Sequence, residues 1–282
     1  MARVLVGVDD SLIAGTTVRW ASRLAAATGA EVILVNAWLA PTEITATDEH
    51  EEELAVRSAR LDRLWSRSAD NEGVDVRSAV FEGDPREVLL EVARGEAVDL
   101  LVVGRAAQGG ERPGLLHLGS VVEYLAHAAA CPMAVIPAEA ATQPPERITV
   151  GVDGSDESAG AVEWCAATAA ATGATVTAVN VQAPMTERNP VGTPDDWLHF
   201  VAQQEVPTWA EPITRAGAPL TPVAVRNGRP ADGLLAAAVE HEADLLVVGA
   251  RGLGGFSGLR IGGTAMGLLH RAELPLVVVP TP

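Results

Sequence analysis

The 282-residue chain contains no lysine; all twenty of its basic residues are arginine. Schiff-base chemistry on a lysine amine is therefore excluded, as is a phosphate loop of the G-x-x-x-x-G-K-S/T kind. Cysteine is nearly absent. Cys131 and Cys165 stand in unlike contexts outside any C-x-x-C, so no disulfide framework is expected and both read as small buried apolar residues. No apolar run approaches the roughly 20 residues of a membrane span. MARVLVGVDD meets its aspartates too early for a signal peptide, and a cytoplasmic protein is expected. No run of basic residues interrupts a net charge of −17, which argues against nucleic acid or anionic lipid as the main partner. The histidines show no metal-ligand spacing, and no metal site is expected.

What is present is a chain written twice. GVDDS at 7–11 returns as GVDGS at 151–155, and ATGA at 27–30 returns at 171–174. Trp20 matches Trp164, and Trp65 matches Trp209. VDLLVVG at 98–104 returns as ADLLVVG at 243–249, and HAAACPMAVIP at 127–137 as HRAELPLVVVP at 270–280. The first copy carries two extra residues between Gly104 and His127. Two domains are expected, 1–137 and 147–282, joined by the Ala/Pro-rich linker AEAATQPPE at 138–146.

Within a copy, apolar runs alternate with segments of helical periodicity. RVLVGVD, EVILVNAW, VDVRSAVFEG, VDLLVVG and CPMAVIP read as strands. The stretches between them read as helices: one stops at Gly29, one at Gly73, and one opens on Asp84–Pro85 as N-cap and first residue. This order predicts an α/β fold: two tandem, doubly wound, open parallel sheets of five strands each. A ligand in such a sheet sits beyond the carboxyl ends of the strands, where the strand order reverses. Asp9, Asp153, Gly104 and Gly249 would lie there if the first and fourth strands are neighbours.

The segment VVGARGLGGFSGLRIGGTA at 247–265 places seven glycines after a buried strand and before a helix. Glycines let an anion approach main-chain amides at a helix start, where the helix dipole favours negative charge. Phosphate binding is the expectation for Gly249, Gly252, Gly262, Gly263 and Thr264; a lid or plain turn is the bland alternative. Asp153 fits a ligand contact, although DGS is also common turn chemistry. Its return as Asp9 favours the former. Arg251 could meet a phosphate or solvent, and His117 lies in the first loop. His127 and His270 stand where they could cap the last carbonyls of a helix. The acidic run TDEHEEEL reads as a helix start, and the matched tryptophans read as packing.

The GVDGS opening, the ADLLVVGARG block, the G-x-x-G-x9-G loop and the HRAELPLVVVP close resemble the universal stress protein family over nearly the whole chain. The resemblance implies the adenine nucleotide alpha hydrolase-like fold and ATP, carried with Mg2+, as ligand. The family's ATP-binding branch ends its loop in G-S/T. Here Gly249, Gly252 and Gly262 match, Gly263 takes the hydroxyl position, and Thr264 follows. The resemblance implies that Asp153, flanked by Gly151 and Val152, approaches the nucleoside, and that the backbone of Val181 reads the adenine edge. Gly249, Gly252 and the Gly262–Thr264 segment would hold ribose and phosphates. In the first copy Gly7, Asp9, Ala37, Gly104, Gly119 and Ser120 take these places. Its loop puts Ala107 at the second glycine and has eleven residues before Gly119.

The function expected is that of a nucleotide-dependent stress-response regulator. No base, nucleophile or carboxylate cluster accompanies the loop for fast phosphoryl transfer. The alternatives are a slow or self-phosphorylating ATPase with Ser120 or Thr264 as acceptor, and a ligand-free scaffold. The closing strands are expected at sheet edges, pairing the two halves within the chain. A homodimer and an unidentified protein partner complete the expected assembly.

Overall fold

The apolar runs become parallel strands because helices cover them on both sides, which leaves Val4, Leu5 and Val6 with no exposed surface at all. The computed structural model describes residues 1–39, 47–63, 72–105, 118–182, 195–226, 228–253 and 260–280, with backbone alone at 47–50 and 195–199. Two compact units divide the chain, Met1–Pro144 and Pro145–Pro282. Ala107 and His117 of the first loop and Trp65 lie outside the described residues, as does the stretch 64–71 of the expected second helix.

The first unit runs β1 (Arg3–Gly7), α1 (Ile13–Thr28), β2 (Glu31–Trp38), α2 (Thr47–Leu61), β3 (Val76–Glu82), α3 (Pro85–Gly95), β4 (Leu100–Gly104), α4 (Ser120–Ala128) and β5 (Met133–Ile136). The second runs β6 (Arg147–Gly151), α5 (Asp156–Thr172), β7 (Thr175–Val181), α6 (Asp195–Trp209), α7 (Glu211–Arg215), β8 (Leu220–Val225), α8 (Pro230–Glu240), β9 (Leu245–Gly249), α9 (Gly263–Arg271) and β10 (Leu276–Val279). Within the first unit the strand order is β3-β2-β1-β4-β5, and within the second it is β8-β7-β6-β9-β10. All of these pairings are parallel. The chain builds outward from β1 to β3, then returns to the other side of β1 with β4. The order therefore reverses between β1 and β4, where Gly7 lies beside Val103, and between β6 and β9, where Val150 lies beside Val247.

Local chemistry sets the element ends. Gly29 and Gly173 close α1 and α5 in the left-handed region, at φ 70° and 77°. Asp84 caps α3 by accepting from the Arg86 amide, and Pro85 follows at the first helical position. The Arg86 guanidinium also holds the Asp84 carboxyl down, at about 2. Cys165 is fully buried, while Cys131 is half-buried with its thiol pushed up to about 11 by burial. His127 and His270 do occupy the last turns of α4 and α9. His270 does not cap, however: its buried Nδ1 has no hydrogen-bond partner, and Arg271 Nε is the group that donates to a helix carbonyl, that of Gly267. Among the described residues no helix is long and apolar enough to cross a membrane.

Candidate functional site

Each strand-order reversal opens into a cavity. In the second unit it measures about 420 Å³, and Gly151, Val152, Asp153, Val181, Gly249, Gly252, Gly262, Gly263 and Thr264 all line it. In the first unit it measures about 270 Å³ and is lined by Gly7, Asp9, Ala37, Gly104, Gly119 and Ser120 among others. The residues singled out from the sequence are thus brought together in two separate places, one in each unit.

The second cavity is built from the turn after β6. Val152 bonds to the neighbouring strand through its amide, which donates to the Val179 carbonyl at 2.9 Å. Its own carbonyl accepts from Asn180 Nδ2 at 2.8 Å. Asn36 donates to Val8 in the same way at 2.9 Å. This asparagine is a site-building residue that patterns of motif and spacing do not pick out. Asp153 Oδ1 then accepts from the amide and hydroxyl of Ser155, at 3.1 and 2.5 Å. Ser155 in turn caps α5 by accepting from the Ser158 amide. One serine therefore both orients the carboxylate and starts the helix. Asp9 and Ser11 repeat the carboxylate half of this arrangement.

On the opposite wall, Gly262 is the N-cap of α9 and its amide donates to the Ala250 carbonyl at 2.7 Å. The amides of Gly263, Thr264 and Ala265 form the first turn, where a helix supplies no carbonyl partner. All three residues line the cavity, so partial positive charge is concentrated on that side. Val152, Val179, Val181, Leu234 and Val248 supply apolar walls. Leu234 comes from α8, and its counterpart Leu89 from α3. A Cβ on Gly151 would crowd Leu234, and one on Gly7 would crowd Leu89.

The glycines divide by surroundings, and two of them have a reason to be glycine that the sequence does not show. Gly249 and Gly252 line the cavity, and at each a protein atom also stands where a Cβ would be. A Cβ on Gly249 would stand 2.7 Å from the Glu157 carbonyl oxygen, and one on Gly252 would overlap Asp153 Oδ2. Gly263 alone of the loop's predicted glycines faces open space, with nothing within 4 Å. Arg251 lines the cavity and is not free in solvent: its Nη2 pairs with Glu157 Oε1 at 2.8 Å.

The universal stress protein family model matches residues 1–137 and 145–280. A universal stress protein of Mycobacterium tuberculosis strain H37Rv is 29% identical over 98% of this chain and 95% of its own length. Another, from Mycolicibacterium smegmatis, is 26% identical over 98% and 96%. The crystal structure of a universal stress protein from Archaeoglobus fulgidus superposes with a TM-score of 0.75 at 18% identity, covering 99% of this chain and 98% of that one. The chain belongs to the universal stress protein family and carries the family's domain twice.

Proposed function

We propose that the second unit binds ATP in its 420 Å³ cavity and that the protein is a nucleotide-dependent regulator of a stress response. The volume falls within the usual range of small-molecule sites, and the apolar walls suit a base ring. The observation that carries this reading is a convergence. A helix amino-terminus open to the cavity faces the Asp153 turn across the strand-order reversal, the place where doubly wound sheets take their ligands. Asp153 stands near the nucleoside, the Val181 backbone at the base, and the α9 amides with Thr264 at the phosphates.

Among the described residues no group of three His, Cys, Asp or Glu side chains is placed to hold a metal ion. Mg2+ would arrive with the triphosphate, and Asp153 and Thr264 are oxygen-bearing side chains of the cavity that could approach it and neutralise no more than part of its charge. The first cavity supports the same reading on a smaller scale, with Ser120 as the first residue of α4.

Asp153 already accepts from Ser155 and Leu253, which leaves it poorly placed to activate water. Regulation by binding is therefore favoured over turnover. The test is to purify the full chain without added nucleotide, denature it and chromatograph what is released. ATP or ADP is the expected product. Its absence, with no thermal shift on adding Mg-ATP, would support a ligand-free scaffold instead. Turnover above about 1 per second would support an enzyme.

A further inference from the structure

We infer that Asp153 is a positioning residue that clasps the chain after β9 at Gly252–Leu253, beside the second cavity, and that Gly252 is glycine to make room for that clasp. Asp153 Oδ2 accepts from the Leu253 amide at 2.9 Å, across 100 residues of chain. Ser155 holds the other oxygen, so the carboxylate cannot turn away. A hydrogen bond to an ionised acceptor is about twice as strong as a neutral one. Any Cβ on Gly252 would overlap Oδ2 and push the loop off.

The loop is held to the start of α5 at neighbouring points. Arg251 reaches Glu157, and Gly249 lies against the Glu157 carbonyl. The first copy carries Ala107 in place of Gly252, Ile13 in place of Glu157 and Ala106 in place of Arg251. Asp9 makes the same bonds to Ser11, yet the aligned sequence position carries alanine and not the glycine that the clasp requires. The sequence therefore admits the clasp in the second unit and not in the first. On the ATP-binding reading, ligand ordering costs less there and the second unit binds nucleotide more tightly than the first.

Hydrogen exchange at the Leu253 amide, in the nucleotide-free full chain, tests the clasp directly. Exchange is expected to quicken about tenfold or more in Asp153→Ala and in Gly252→Ala, with first-unit amides unchanged. The double variant should exchange no faster than Asp153→Ala, because Gly252→Ala acts only through the carboxylate. Should Asp153→Ala fail to fold, Asp153→Asn serves. Its one acceptor oxygen stays with the two Ser155 donors and the Leu253 amide is released. Unchanged exchange in these variants overturns the inference, as does a Gly252→Ala effect that persists in full without the carboxylate. Calorimetry with Mg-ATP on the same proteins is a separate arm. Wild-type protein that takes no ATP sinks the nucleotide reading, while the exchange rates still decide the clasp.

Discussion

The side-chain amide of Asn180 donates to the carbonyl of Val152 at 2.8 Å, joining β7 to the turn that carries Asp153. Asn180 is buried, so water cannot replace the bond when it is lost. Asn180→Leu keeps the side chain's size and leaves the Val152 carbonyl short of a partner. A loss of about 1–3 kcal/mol in urea unfolding of the second unit is expected. Asn36 is half-buried, so Asn36→Leu should act in the same direction on the first with a smaller loss. Unfolding midpoints that do not move would show that these asparagines do not hold the turns.

Gly154 and Gly173 share nearly the same left-handed backbone, at φ +79° and +77°, but not the same surroundings. A Cβ on Gly154 would stand 2.8 Å from the Trp209 ring, whereas one on Gly173 would meet nothing within 4 Å. Alanine at Gly173 should cost about 1 kcal/mol, from backbone strain alone. Alanine at Gly154 should cost more, because the indole must also shift. Thermal melts of the two variants check the order, and equal losses would contradict it.

Gly263 is the loop position open to the cavity, and the first copy has Ser120 there. Gly263→Ser should stabilise the first turn of α9 by a few tenths of a kcal/mol, since serine forms helix more readily than glycine. It should also add a hydroxyl donor beside the amides and tighten ATP binding. Calorimetry reads both the direction and the size of that change. Weaker binding would place the phosphates away from α9.

Asp84 supplies a pH signature. Its folded carboxyl ionises at about 2, held down by Arg86, against an ordinary value near 4. The unfolded chain therefore takes the proton first, and the cap's contribution to stability falls as pH drops from about 4 towards 2. Wild type should melt above Asp84→Ala at neutral pH, and the gap should close as pH approaches 2. A gap that is independent of pH would assign the effect to helix propensity alone.

Much of the architecture is legible in the linear sequence, because the repeats and apolar runs are local signals and parallel strands buried on both faces read as unbroken hydrophobic stretches. The positions of Gly249, Gly262 and Asp153 around one cavity follow from those elements. The partners of these residues do not. Leu253 meets Asp153 across 100 residues and Arg251 meets Glu157 across 94. Neither contact has a periodic signature. Nothing in the sequence shows the carboxylate that stands beside Gly252, and an asparagine inside a strand gives no hint of the turn it braces. Helix α2 begins within the acidic run, at Thr47, but its described part ends at Leu61 instead of Gly73, and the stretch 64–71 lies outside the described residues.

The central claim is that the first turn of α9 holds the phosphates of ATP. Its most direct test is calorimetric titration of Mg-ATP into the full chain and into Gly262→Val. A Cβ at Gly262 would make only ordinary contacts, 3.4 Å to the Ala250 oxygen and 3.5 Å to Arg251 Cα, and a thermal melt of the variant checks that it folds. Gly262 lines the cavity at the start of α9, so the added methyl groups narrow the phosphate end. The account expects saturable binding to the wild type and affinity lower by about tenfold or more at the second-unit site of the variant. Equal affinity in both proteins, or no binding to either, would contradict it.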